Sequence, residues 1–276
     1  AWAAQPGKSP AVAAAAGLDT LHAHGGGLFT LVVTPLINST GKTDLDSLSE
    51  GLADMLAVAL SRTKDIAVVD REHLSKVLAE QRIALLGMAE PGTAARVGNI
   101  LGAKALVTGG FTLIDGKISV NAHVFDVATA TLLKSESMQE DMSELPKLCE
   151  RLSVAVLQNL NLEAEALPKF DVDDSPVANL HFIRGLGLYH SGQYDRAIGQ
   201  FTTTLELDGK HGDARLGYAR SYHAKKEFGH AKVELEKLLK DVPDYARAGE
   251  ARKLLKKCDA KLKESERNLL SGIPSD

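Results

Sequence analysis

The strongest constraint on this chain is a self-similarity in its last third. At a spacing of about 34 residues, small residues recur opposite small ones and large apolar residues opposite large ones. Gly185 matches Ala219 and Ala197 matches Ala231, while Leu188 matches Tyr222, Tyr194 matches Phe228 and Phe201 matches Leu235. Thr204 against Leu238 is the poorer match, and Gly209 stands opposite Pro243, two residues that each end a helix. Small positions let paired helices approach closely, and the large residues fill the space between them. Such a unit cannot bury its apolar face alone, so it stacks on its neighbour. A Lys-rich helical pattern from Tyr245 to Glu266 follows and reads as the polar cap that an open stack requires.

The chain before the repeat has a different grammar. LFTLVVTPL, from residue 28 to 36, is a strand by its β-branched and apolar content, and Asn38–Gly41 make a loop. Leu45, Leu48, Leu52, Met55, Leu56 and Ala59 mark one face of a helix. Ile66–Val69 forms a second strand. Leu74, Val77, Leu78 and Gln81 then fall at helical spacing, and Pro91 opens a further helix with Ala94, Val97 and Leu101 inward. From Ala105 the pattern turns to β. Asp115-Gly116 is a two-residue hairpin signal, because a type I′ turn needs positive φ at both central residues. Ile118, Val120, Ala122 and Val124 then alternate with Ser119, Asn121 and His123, and Thr131–Leu133 returns as another strand. Leu145, Leu148, Leu152, Ala155, Val156 and Leu160 close this part with a helix. The order β-α-β-α-α-β-β-β-α predicts an α/β domain with a mixed sheet, followed by an all-α helical-repeat domain.

The boundaries follow from composition. Residues 1–26 are small-residue-rich and lack a helix or strand period, which makes them a flexible tether; Ala1-Trp2-Ala3 fits either the remnant of a cleaved export signal or the interior of an Ala/Pro linker. The α/β domain occupies 27–162, an acidic aperiodic linker 163–176, and the repeats with their capping helix 177–270. A net charge of −4 over 276 residues implies no polyanionic partner for the chain as a whole. No apolar run approaches the ~18 residues of a membrane helix. Cys149 and Cys258 lie far apart inside helical patterns, so two buried thiols are expected rather than a disulfide.

Several clusters invite a catalytic or ligand-binding reading. VVDREHLSKVLAEQRI, residues 68–83, runs straight from strand to helix, and its Asp70 suits the N-cap of that helix, with Glu72 at the positive end of the dipole and Arg71 and His73 facing solvent or pairing locally. A catalytic reading needs a partner nucleophile, base or metal ligand at recognisable spacing, and none is present. Gly25-Gly26-Gly27 precedes a strand, which is the wrong context for a phosphate loop. Thr40-Gly41-Lys42-Thr43 lies between strand and helix as a phosphate loop does, but Leu36 stands where the upstream glycine is required. His22 and His24 form an i, i+2 pair with Asp19 as the nearby carboxylate, too sparse a donor set for a metal. His123 falls on the wetter strand face. Lys253, Lys256, Lys257, Lys261 and Lys263 are interleaved with acidic residues and lack an aromatic platform, so they read as a solvated helix face rather than a nucleic-acid patch.

Two resemblances then come into view. VVDREHLSKVLAEQRI, together with NILGAKALVTGGFTLIDGKISVNAHVFDVATATLL, resembles the CsgG-like family of bacterial envelope proteins, which includes LpoB-like and FlgO-like modules; the likeness covers residues 28–160. Leu101–Gly109 matches its central strand motif and Phe125–Ala130 its later turn, with Ala130 where the family usually has Gly, which implies a turn of a different type. The repeat is similar to tetratricopeptide repeats, two full units and a cap. The resemblances imply an envelope-associated or periplasmic scaffold that is not an enzyme and takes no cofactor. It would bind a protein or peptide partner in assembly or secretion of a surface structure. The short Asp115-Gly116 connection argues against membrane hairpins. In the repeat groove the expected contacts are Asn179, Arg184, Tyr189, Asp213, Arg220 and His223, polar or aromatic residues on the first helix of each unit. A ring-forming homo-oligomer without a pore and a nucleotide-binding enzyme acting through Thr40–Thr43 are the alternatives.

Overall fold

The computed structural model describes residues 28–63, 66–81, 83–84, 87–88, 90–162 and 175–271. The tether at 1–26, Gly25–Gly27, the His22/His24 pair and residues 163–174 of the linker lie outside the described residues. The chain divides into two units, Ala1–Phe170 and Asp171–Asp276, each considered by itself.

The first unit is built on one sheet. Its strands are β1 (Phe29–Val33), β2 (Ile37–Asn38), β3 (Ile66–Val68), β4 (Ala105–Ile114), β5 (Lys117–Asp126) and β6 (Thr131–Glu140). The order is β3-β1-β4-β5-β6, with β2 added beside β4. β1 pairs in parallel with β3 and β4, whereas β4-β5-β6 is an antiparallel meander. The predicted opening strand thus ends early, and a second short strand, β2, begins just past its predicted end and takes in Asn38 of the predicted loop. Pro35 cannot donate to a ladder, so pairing along Phe29–Val33 stops there and resumes at Ile37, which aligns with Gly110 of β4.

Helices α1 (Ser47–Ser61) and α4 (Leu145–Asn159) cover one face of the sheet, and α2 (Arg71–Glu80) and α3 (Pro91–Ile100) cover the other. All six apolar positions predicted to mark one face of this helix are buried; five lie in α1, and Leu45 belongs to the 3₁₀ turn just before it. On the second face, Leu74, Val77, Val97 and Leu101 pack against Val32, Leu106 and Phe125. Gln81, placed on that face by spacing, is the exposed C-cap of α2. Asp115 and Gly116 both have positive φ, 51° and 79°, and close β4 onto β5 in the predicted register, Ile114 opposite Lys117. At the second turn Ala130 itself takes the left-handed backbone, with φ 54°. The turn therefore keeps a conformation suited to glycine rather than avoiding it. β6 runs to Glu140, well past the predicted Leu133, because it is an edge strand with only Leu133 fully buried; its remaining residues carry no apolar signature.

The second unit is five helices: α5 (Pro176–His190), α6 (Tyr194–Leu207), α7 (Gly212–Ala224), α8 (Phe228–Asp241) and α9 (Ala248–Ser271). Each packs on the next, and α5 with α7 and α7 with α9 also touch, so α5, α7 and α9 form one layer. Phe201 of α6 explains why the first layer needs small residues. A Cβ at Gly185 of α5 would lie 2.6 Å from its ring, and one at Gly217 of α7 2.5 Å. Thr204 is as fully buried as its counterpart Leu238, with its hydroxyl donating to the Gln200 carbonyl at 3.0 Å. The poorer match is therefore the same structural position, made tolerable by a backbone hydrogen bond. α9 buries Ala248, Ala251 and Cys258 and exposes Lys253, Lys256, Lys257, Lys261 and Lys263, as a cap should. Cys149 and Cys258 are both free and buried.

Candidate partner-binding groove

The 34-residue register aligns equivalent positions of α5, α7 and α9 side by side. Asn179, Asp213 and Arg247, the last in the turn immediately before α9, form one such row; Leu186, Arg220 and Leu254 a second; Tyr189, His223 and Lys257 a third. A direct contact verifies the register: Arg247 Nη1 donates to Asp213 Oδ1 at 3.1 Å.

Around that contact lies a buried ionic network. Asp213 is 3% exposed, and its Oδ1 also accepts the Tyr245 hydroxyl at 2.6 Å. Arg247 bridges onward to Glu250 (Nε to Oε2, 3.0 Å), and Glu250 binds Arg220. Burial first, then the Asp213 charge, pushes the Tyr245 hydroxyl well above its ordinary range, so it stays a donor at any physiological pH. The structure thus brings two of the sequence-selected residues, Asp213 and Arg220, into one network that ties α7 to α9. Asn179 is buried in the first turns of α5, Arg184 and Tyr189 are half-buried along the same helix, and His223 sits in the last turn of α7. The His223 ring packs edge-on against Phe228, with centroids 5.2 Å apart. Burial and then the positive charge of Lys257 hold its imidazole below its usual pKa. Tyr245, Arg247 and Glu250 escaped the sequence reading because they were assigned to a cap; carrying the 34-residue register one unit further would have found Arg247.

The candidate chemistry in the first unit resolves as joints. Asp70 Oδ1 accepts the backbone N–H of Glu72 at 2.8 Å and of His73 at 3.4 Å, which makes it the N-cap of α2. Arg71 does not face solvent or pair within its own turn. It is largely buried and forms an ion pair with Glu50 of α1, and burial lowers its pKa to about 10. The pattern could not reveal this, because the partner lies on another helix. In the loop at Thr40–Thr43, the Asn38 side chain accepts from Thr40 N (3.0 Å) and Oγ1 (2.6 Å) and donates to the Lys42 carbonyl at 2.9 Å. The segment that follows is one 3₁₀ turn, Thr43–Leu45, and not a helix opening onto a phosphate. His123 pairs with Ser135 at 2.8 Å in an exposed position. Among the described residues no group of three His, Cys, Asp or Glu is placed to hold a metal, and no helix is long and apolar enough to cross a membrane.

The architecture is a mixed α/β module followed by stacked helix pairs. The family comparisons agree. Residues 31–122 match the family described as curli production assembly/transport component CsgG, and residues 188–258 match the tetratricopeptide repeat. The chain is a CsgG-like module fused to a tetratricopeptide-repeat region, and neither family is catalytic. Similar solved structures include the LpoB C-terminal domain from Escherichia coli (13% identity, TM-score 0.35, covering 45% of this chain and 92% of that one). Lipoprotein GNA1162 from Neisseria meningitidis is 17% identical with a TM-score of 0.36, covering 49% and 99%. The PelC dodecamer from Paraburkholderia phytofirmans is 16% identical with a TM-score of 0.31, covering 51% and 96%. No curated protein matches the sequence.

Proposed function

We propose that this protein is an envelope-associated adaptor that holds a protein partner in its repeat groove and serves the assembly or secretion of a surface structure. The observation that carries the reading is the union, in one chain, of a module from a curli assembly and transport family with a protein-interaction repeat. The groove wall is the layer α5-α7-α9, whose rows of equivalent residues include Tyr189 and His223. The Asp213–Tyr245–Arg247–Glu250–Arg220 network stiffens that layer, so the groove is presented pre-formed, which lowers the entropic cost of binding. Asn179, Arg184, Tyr189, Asp213, Arg220 and His223 remain the proposed contact set, with Asp213 and Arg220 acting mainly by holding the wall in place.

Photocrosslinking in the native cell tests this. With p-benzoylphenylalanine at position 189 or 223 a discrete protein adduct is expected, and with the same probe at the exposed Val233 of α8 none. Equal adducts from all three positions would refute the groove.

A second reading has one specific observation behind it: no strand among the described residues pairs with the outer edge of β6. An open edge of this length is a template for another strand, as a homo-oligomer would supply. Light scattering across a hundredfold range of concentration is the check. A mass that stays at one 29.4 kDa chain excludes self-pairing, and a larger mass lost in Ser137→Pro locates it at β6.

A further inference from the structure

Helix α9 carries a cationic row that its own contacts leave uncompensated. Between Arg252 and Lys263 six cationic side chains stand against one anionic, Asp259, in a chain whose net charge is −4. Lys253, Lys256, Ala260, Lys263 and Arg267 are spaced i, i+3, i+7, i+10, i+14, so they form one row along the helix. At the helical rise per residue the row is about 21 Å long. Every member of it is exposed. Lys253, Lys256 and Lys263 have no ion-pair partner among the described residues. The carboxylates on its two flanks are engaged elsewhere: Asp259 by Lys232 of α8 at 2.7 Å, and Glu264 by Lys261 at 2.9 Å. Glu266 follows Asp259 by seven residues and so falls on that flank, outside the row.

The row points away from the rest of the unit. Ala251 and Cys258 mark the buried side of α9. Glu250 and Asp259 mark the sides turned to α7 and α8, through their contacts with Arg220 and Lys232. The row lies opposite Ala251 and Cys258. In the 34-residue register Lys253 stands where α5 has Gly185 and α7 has Ala219, and Lys256 where they have Leu188 and Tyr222. Those positions seat a second helix: Gly185 abuts Phe201 of α6, and Tyr222 meets His230 of α8 with ring centroids 5.0 Å apart. Lysines in their place cannot seat one, so no helix pairs with this side of α9 as α6 does with α5. A solvated end needs only polar residues of mixed sign. This row instead sets like charges one turn apart, Lys253 beside Lys256 and Lys263 beside Arg267, which works against the helix carrying them. An extended anionic surface would relieve that repulsion.

We propose that this outward face of α9 docks on an anionic lipid bilayer, whose headgroup phosphates bind along Lys253, Lys256, Lys263 and Arg267. The row carries no aromatic or large apolar side chain. It therefore lacks the anchors on which a protein interface depends and the stacking platform of a single-stranded nucleic-acid site. A bilayer requires neither, because its anionic headgroups attract basic segments by charge alone. A straight row on one helix meets a flat surface along its whole length. With no apolar face to bury, the contact is adsorption without insertion. The surface lies apart from the groove wall and does not depend on the groove reading.

The test is co-sedimentation of the full chain with two kinds of vesicle, phosphatidylcholine alone and phosphatidylcholine mixed with phosphatidylglycerol, at low and at high salt. Binding is expected to the mixed vesicles at low salt, to be lost at high salt as exposed charges are screened, and to be absent from phosphatidylcholine. Lys256→Glu with Lys263→Glu is expected to weaken binding at least tenfold without lowering the thermal midpoint, since it turns two like-charge neighbours into opposite-charge ones. Lys210→Glu with Lys240→Glu makes the same charge change at exposed sites outside α9 and is expected to weaken binding less than threefold. Equal binding to both kinds of vesicle, none to either at low salt, undiminished binding by the α9 variant, or equal losses in the two variants would overturn the inference. Binding of polyglutamate or of an oligothymidylate that the α9 substitutions abolish, without vesicle binding, would give the face to an acidic protein or a nucleic acid and overturn it too. The groove is judged separately by the crosslinks from positions 189 and 223.

Discussion

At the scale of single residues, the repeat register also exposes a strained position. The turns joining α5 to α6 and α7 to α8 are built alike: Gln193 N donates to the Leu188 carbonyl and Glu227 N to the Tyr222 carbonyl, both at 2.9 Å. Each turn needs a left-handed residue. The first has Gly192 at φ 73°, and the second has Lys226 at φ 65°. A side chain in that conformation costs roughly 1 kcal/mol that glycine does not bear. Lys226→Gly should therefore stabilise the repeat unit by about 0.5–1 kcal/mol in denaturant melts, against the usual direction of a glycine substitution. His223 supplies a pH dependence of the same unit. Its imidazole is held below the ordinary 6.5 by burial and then by Lys257. As pH falls through that value the unfolded chain binds the proton before the folded one does, so stability is full above it and is lost as pH falls. Melts of the full chain from pH 7.5 to 5 should show the repeat unit losing stability toward acid, with a shallower slope in His223→Asn.

At the scale of elements, α7 and α9 share a buried polar network beside their apolar contacts, whereas Phe201 of α6 meets α5 by close apolar packing. Phe201 needs only glycine opposite it, and the 34-residue pattern announces both partners. The Asp213 network is different. Its carboxylate is 3% exposed and compensates both a guanidinium and a phenol hydroxyl. Asp213→Ala leaves those donors without their acceptor and should cost about 3 kcal/mol, seen as an earlier unfolding transition of the repeat unit. Asp213→Asn, which keeps an acceptor oxygen, should cost less. The same contrast explains which elements could be read from sequence. The α1 helix, the β4–β5 hairpin and the repeat helices each bury a face whose period is written in apolar residues. β6 and β2 do not: one is an edge with a polar face, and the other is two residues of ladder resumed after a proline.

At the scale of the whole molecule, the proposed function rests on surfaces rather than on a reaction centre. The clusters that look chemical in the sequence are absorbed by the fold: Asp70 caps a helix, Arg71 ties α2 to α1, and the Thr40–Thr43 loop folds around Asn38. Of the candidate contact set, the register makes the choice of helices legible, because first helices of successive units share a layer. The division of those residues between structure and recognition is not legible, since it depends on partners some 30 residues away in the chain.

What the sequence determined by itself is everything that a local period encodes: two kinds of unit, a mixed sheet followed by helix pairs, the hairpin at Asp115-Gly116, the N-cap at Asp70 and a charged capping helix. Apolar spacing and turn chemistry act over a few residues, so they survive in a one-dimensional reading. Only the tertiary structure decided which charges are spent and which are free. Arg71, Asp213, Arg220 and Glu250 are neutralised across helix interfaces, while Lys253 and Lys257 are not, because ion pairing follows distance in space and leaves no periodic trace along the chain.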